Sequence, residues 1–142
     1  MKTVAQMLEL KPTGVISINP DTAVLDALKL LAEKDVGAVL VMDGTRLAGI
    51  FSERDYARKV ALKGKSATDT RVSDIMTSQV VCVTPMQTNE ECMALMTEKR
   101  IRHLPVIDKD RVLGVLSIGD LVKDMISEQQ FIIGQLEHYI HR

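Results

Sequence analysis

The chain has 142 residues, 46% of them hydrophobic and 26% charged, and its 18 Lys plus Arg against 19 Asp plus Glu leave a formal net charge of −1. That balance suits a globular protein and lacks the basic excess of a general nucleic-acid binder, and with 3% aromatics and no Trp it offers no platform for stacking single-stranded bases. Cys82 and Cys92 form no disulfide framework or four-ligand zinc set, the N-terminal stretch with Glu9 has no apolar signal core, and no run is long and apolar enough to span a membrane. The expected compartment is the cytoplasm.

Val4, Met7 and Leu8 predict a short amphipathic helix within a lead-in over 1–14. From there a single offset of 65 residues organises the chain. Val15 falls on Val80, Pro20 on Pro85, Leu30 on Leu95, Val41 on Val106, Gly49 on Gly114, Ser52 on Ser117 and Asp55 on Asp120. One constant offset over so many positions is an internal duplication.

The first copy, 15–62, opens on a β-branched run, Val15–Ile18, followed by Pro20. A helix comes next, with Thr22 as its expected cap and Val24, Leu25, Leu28, Leu31 and Ala32 on one face. Two strands follow, 38–42 and 47–51, joined by an Asp43-Gly44 turn, and then a closing helix. Residues 63–79 read as a polar connector and lead-in.

The second copy, 80–126, repeats the order: Val80–Val83, a helix capped by Thr88 that buries Cys92, Leu95 and Met96, strands at 104–107 and 112–116, and a closing helix. That last helix runs long, from about Gly119 toward Tyr139. Its extension over 127–142 carries Phe131, Ile132, Leu136, Tyr139 and Ile140. This apolar surface either serves a partner subunit or folds back on its own core. One copy buries little core by itself, so two copies packed sheet against sheet are expected.

The segments able to carry chemistry are Gly-Ile-Phe-Ser-Glu-Arg-Asp (49–55) and Gly-Val-Leu-Ser-Ile-Gly-Asp (114–120). In each, a strand enters a helix through Ser-x-x-Asp. The plain reading is a helix start, with Ser as N-cap and the acid bonding back. The functional reading sets a ribose on the carboxylate and a phosphate near Ser and the helix N-terminus. Arg54 and Arg58 in the first copy, and Arg100, Arg102 and His103 in the second, could balance phosphate charge. Asp35, Gly37 and Ala38 stand at the positions of those last three in the first copy, so the copies share a framework and differ in charge.

These segments, together with Val-Ile-Ser-Ile-Asn-Pro (15–20), Ile-Arg-His-Leu-Pro-Val-Ile-Asp (101–108) and the lead-in Val72–Met76, resemble the tandem cystathionine-β-synthase (CBS) domain pair, the Bateman module. The resemblance implies an α+β fold: two βαββα repeats packed sheet to sheet about a pseudo-two-fold axis, plus terminal helices, with two clefts. It implies binding of an adenine nucleotide (AMP, ADP, ATP, NAD or S-adenosylmethionine), pairing into a homodimer, and regulation of an unknown partner protein. Carried over by position, Asp55 and Asp120 would bind ribose, and Ser52 and Ser117 would lie by ribose or phosphate. Ile16 and Val81, with the backbone around Ala38 and His103, would enclose adenine. Arg54, Arg58, Arg102 and His103 would meet phosphates.

No nucleophile elbow, Walker loop or metal motif is present, and the repeats use almost the whole chain, so a sensor without catalysis is expected. The alternatives are a structural or interaction scaffold with empty clefts and, ranked after it, a nucleotide-processing enzyme. His138 and His141 are too few ligands for a metal on one chain.

Overall fold

A computed structural model describes residues 2–11 and 14–140. In chain order the elements are α1 (Val4–Glu9), β1 (Ser17–Ile18), α2 (Val24–Lys34), β2 (Ala38–Asp43), β3 (Arg46–Ser52), α3 (Glu53–Tyr56) continuing as a π-helical turn (Ala57–Ala61), α4 (Val72–Ile75), α5 (Asn89–Lys99), β4 (His103–Asp108), β5 (Arg111–Ser117) and α6 (Ile118–Ile140). They form two compact units. One holds the described residues of 13–81 with 109–112, and the other those of 1–12, 82–108 and 113–142.

In the unit built on the first repeat, β1 pairs parallel to β2, and β2 pairs antiparallel to β3, in the order β1-β2-β3. The turn between β2 and β3 places Gly44 at φ +62°, a conformation that costs glycine nothing. Val24, Ala27 and Leu31 of α2 bury against Val39 and Val41 of β2, Phe51 of β3, Val60, and Val72 and Ile75 of α4. Complete burial of each large side chain contributes about 1.5–3 kcal/mol. The expected α2 face needs one exchange: Ala27 is buried and Ala32 is exposed.

Thr22 does not cap α2. The N-cap is Ala23, and no side chain bonds there. The connector supplies the missing acceptors from its backbone: Val24 N–H donates to Thr70 O (2.9 Å) and Leu25 N–H to Ala67 O (3.0 Å). A helix start whose orphan N–H groups already meet carbonyls has no need of a side-chain cap. The polar 63–73 segment is therefore a structural part of the first repeat, and so is α4.

In the other unit, β4 and β5 form a two-stranded sheet. Lys109 and Asp110 lie between them, both at positive φ. Thr88 caps α5 as expected, accepting from Glu91 N–H at 3.3 Å, and Cys92 and Met96 are buried beneath it. Burial, reinforced by the Glu91 charge, pushes the Cys92 thiol up to about 11, so it stays protonated.

The expected first strands are shorter than their β-branched runs. Val15–Ile18 reduces to Ser17–Ile18, and Val80–Val83 reduces to a single parallel bridge between Val83 and Val106. In each copy the run ends just before a proline, and β1 has only one neighbour, so the ladder closes early.

Helix α1 packs in the second repeat's unit although it precedes the first in sequence. Val4 N–H donates to Gln87 O (2.8 Å), Ala5 N–H to Pro85 O (3.0 Å), and Asn89 N–H to Lys2 O (3.1 Å). These bonds mirror Val72 to Thr22, Ser73 to Pro20, and Val24 to Thr70 in the first repeat's unit. The lead-in 72–76 thus serves the first repeat, and α1 serves the second. A buried polar cluster fixes the arrangement: Asn89 Nδ2 donates to Leu121 O (3.0 Å) and Asp124 Oδ2 (2.6 Å), while Lys2 Nζ pairs with Asp124 Oδ1 at 2.8 Å. Burial raises the Asp124 carboxyl, but the Lys2 and Asn89 bonds outweigh it and hold it below the usual range.

Candidate functional site

Both Ser-x-x-Asp segments fold as capping boxes. In the first, Asp55 N–H donates to Ser52 Oγ (3.2 Å), and Asp55 Oδ2 accepts from Ser52 N–H (3.0 Å) and from the Ser52 hydroxyl (3.1 Å). In the second, Asp120 N–H donates to Ser117 Oγ (3.2 Å), and Asp120 Oδ2 accepts from Ser117 N–H at 2.8 Å. In each copy the first helical N–H meets the carbonyl just before the first strand of the hairpin, β2 or β4: Glu53 donates to Gly37 O (3.1 Å) and Ile118 to Arg102 O (2.9 Å). The helix start is thereby locked beside Ala38, which faces Ser52 across the sheet, in one copy, and beside Arg102 in the other.

The two acids differ in what else they hold. Asp55 Oδ1 accepts from the Thr77 hydroxyl (3.2 Å) and pairs with Lys59 (3.0 Å), leaving its side chain 9% exposed. The π-helical turn carries Lys59, whose ammonium also donates to Ile75 O at 3.0 Å. Asp120 is more open, with a side chain 30% exposed, and its cation comes from far along the chain. Lys11 Nζ lies 2.9 Å from Asp120 Oδ2 and donates to Val115 O at 2.6 Å.

Burial raises the Asp120 carboxyl, but the Ser117 N–H and Lys11 outweigh it and keep the acid ionised below the ordinary range. His103 moves down because burial and the Lys11 charge disfavour its cation more than Asp120 favours it. At neutral pH the Asp120 carboxyl is ionised and the His103 imidazole neutral. Both shifts act in the same sense. A depressed imidazole contributes stability above its unfolded value of 6.5, lost as pH falls through the folded value, and the Asp120 contribution is lost further down, below 3.8. We expect the unfolding free energy, followed by urea denaturation, to decline as pH drops below 6.5, with the His103 ring protons titrating below that value by NMR.

Of the other expected site residues, Ile16 is half-buried and its carbonyl accepts from Leu40 N–H at 3.3 Å, and Val81 is half-buried ahead of the Val83 bridge. Arg54 and Arg58 are exposed on α3 and the π-helical turn, and Arg102 is exposed before β4. Arg100 is the α5 C-cap at φ +55°, matching Asp35 on α2 at φ +53°. Lys11, Lys59 and Thr77 join the acids without having been expected. Lys59 was legible as an i,i+4 partner of Asp55, whereas Lys11 carries no local signal.

Beside Asp120 lies a pocket of about 170 Å³ where Lys2, Lys11 and Lys123 face Asp120 and Asp124. A larger groove of about 660 Å³, lined by Leu28, Val36 and Tyr56 with Asp35 and Glu53, contains neither Ser-x-x-Asp acid. Among the described residues no group of three metal-ligating side chains occurs, and His141 lies outside them. No described helix is long and apolar enough to cross a membrane.

Duplicated units that each close on a Ser-x-x-Asp helix start define a tandem α+β repeat, and comparison with known proteins names its family. The CBS domain family matches residues 9–62 and 72–127, and the chain belongs to that family. It is 41% identical over 125 residues to the mitochondrial CBS domain-containing protein CBSX3 of Arabidopsis thaliana, covering 84% of this chain and 61% of that protein's length. A solved CBS-domain protein from Burkholderia ambifaria shares 53% identity with a TM-score of 0.86, over 90% of this chain and 96% of that one. A CBS domain protein from Pyrobaculum aerophilum complexed with AMP shares the fold at 24% identity and a TM-score of 0.72, over 83% of this chain and 88% of that one.

Proposed function

We propose that the chain is a sensor module that binds an adenine nucleotide and regulates a partner, with its main seat at the Ser117–Asp120 end of the second repeat. The observation that carries this reading is the Asp120 carboxylate, held ionised and partly open at a helix start beside neutral His103. A carboxylate there can accept both ribose hydroxyls, and the helix N-terminus favours the phosphate. Ser117 supports the ribose. Arg102, His103 and Lys11 offer the charge or donors that a phosphate needs, and Val81 with the backbone at His103 encloses the base. AMP in the Pyrobaculum protein supports adenine as that base.

Ser52, Asp55, Ile16, Ala38, Arg54 and Arg58 are the equivalent set in the first repeat. There Asp55 already holds Lys59 and Thr77, so a ribose must displace existing bonds. This favours the scaffold reading for the first repeat alone and makes it the weaker seat. The module works as a homodimer, and its output is a change in affinity for the regulated protein, set by the nucleotide's preference between two states.

A thermal-shift panel with AMP, ADP, ATP, NAD, S-adenosylmethionine and GTP tests the reading. At 100-fold over its dissociation constant a ligand stabilises by about 2.7 kcal/mol, a rise of roughly 5–10 °C at this size. A shift confined to adenine compounds is expected. No shift, in protein shown by mass spectrometry to be free of nucleotide, would overturn it.

A further inference from the structure

We propose that the C-terminal half of α6 pairs in parallel, and in register, with the same helix of a second copy of this chain. The helix is anchored early, through buried Leu121 and Asp124. From Gln129 to Ile140 every residue is exposed. A helix this short is marginal in water without a covered face, and Gly134 within it costs about 1 kcal/mol more.

The exposed face has a coiled-coil seam. Val122, Met125, Gln129, Ile132, Leu136 and Tyr139 recur at alternating spacings of three and four, the pattern of a and d positions. Ile132, Leu136 and Tyr139 are 50%, 57% and 75% exposed. Only Gln129 is a polar amide in that row.

The chemistry selects the occupant. Residues 124–140 contain no Lys or Arg while carrying Asp124, Glu128 and Glu137, so an anionic lipid surface is repelled. A second copy suits the seam. In parallel register the two Gln129 side chains meet and can bond amide to amide, whereas an antiparallel arrangement sets each against an apolar neighbour. A single polar a position is a known device for fixing register and partner number. Glu128, the charged residue flanking the seam, then faces no like charge, since the position opposite it is Ile133 of the other copy.

The test uses the full chain. Gln129→Cys should form an interchain disulfide under mild oxidation, while Ser127→Cys, on the outer side of the helix, should not, with the parent protein as control for Cys82 and Cys92. Ile132→Glu with Leu136→Glu should halve the mass seen by light scattering and leave unit folding intact by circular dichroism, because both side chains are exposed. A monomeric parent, a dimer that persists in the double variant, or equal cross-linking through Ser127→Cys would each overturn the proposal. So would a monomeric parent that floats with phosphatidylglycerol vesicles, which would assign the face to lipid.

Discussion

Asp120→Asn will weaken AMP binding about 100-fold by calorimetry, because two charge-assisted ribose bonds are worth about 3 kcal/mol together. The variant keeps the shape of the capping box, and its loss of stability is small, since the acid is partly open and Lys11 can turn to water. Asp55→Asn reverses the balance. Asp55 is buried and holds Ser52, Thr77 and Lys59 at once. Replacing it puts an amide nitrogen, which cannot accept, at a buried position that receives donors from three residues, and costs about 1–3 kcal/mol in urea denaturation, with a smaller change in AMP affinity. If Asp120→Asn bound AMP as tightly as the parent, the ribose would have to lie elsewhere.

The two sheet glycines provide the second large effect. A Cβ on Gly49 would sit 2.7 Å from Met76 Sδ and 2.7 Å from Thr77 O. The sulfur can move, but the carbonyl cannot, because Thr77 and Ile50 exchange both backbone bonds at 2.9 Å. Gly49→Ala is therefore expected to destabilise by about 2–3 kcal/mol, lowering Tm by roughly 5–10 °C. At Gly114 the same atom would meet Leu8 Cδ2 at 2.9 Å, the free end of a flexible side chain. Gly114→Ala should cost less than about 1 kcal/mol. Differential scanning calorimetry of the two variants distinguishes them, and equal losses would contradict this account of the lead-in helices.

The duplication, the strand order, the Thr88 cap and both Ser-x-x-Asp boxes are legible in the sequence because each is a local pattern or one constant offset. Backbone partners are not. The Thr70 and Ala67 carbonyls that replace Thr22 at the start of α2 have no side-chain signature, so the connector reads as a mere linker. Ala27 and Ala32 are chemically identical, and periodicity alone chose the exposed one. Lys11 reaches Asp120 across 109 positions, and nothing around Lys11 announces an acid. The candidate site was therefore half visible: the acids, serines and His103 were, and Lys59 was legible from its spacing to Asp55, while Lys11, the cation that decides how available Asp120 is, came only with the fold. The uneven ends were visible as composition, yet which repeat α1 serves was not.

The placement of α1 also sets an order of events during synthesis. The strands and helices of the first repeat all lie within residues 14–81, so they can assemble as soon as that stretch leaves the ribosome. Residues 2–11 emerge earlier still, but their hydrogen-bond partners, Pro85, Gln87 and Asn89, come after the whole first repeat. That segment is thus obliged to wait, with Val4 and Met7 uncovered, until the second repeat arrives to bury them. Until that loop closes, these apolar side chains are open to a chaperone or to another copy of the chain.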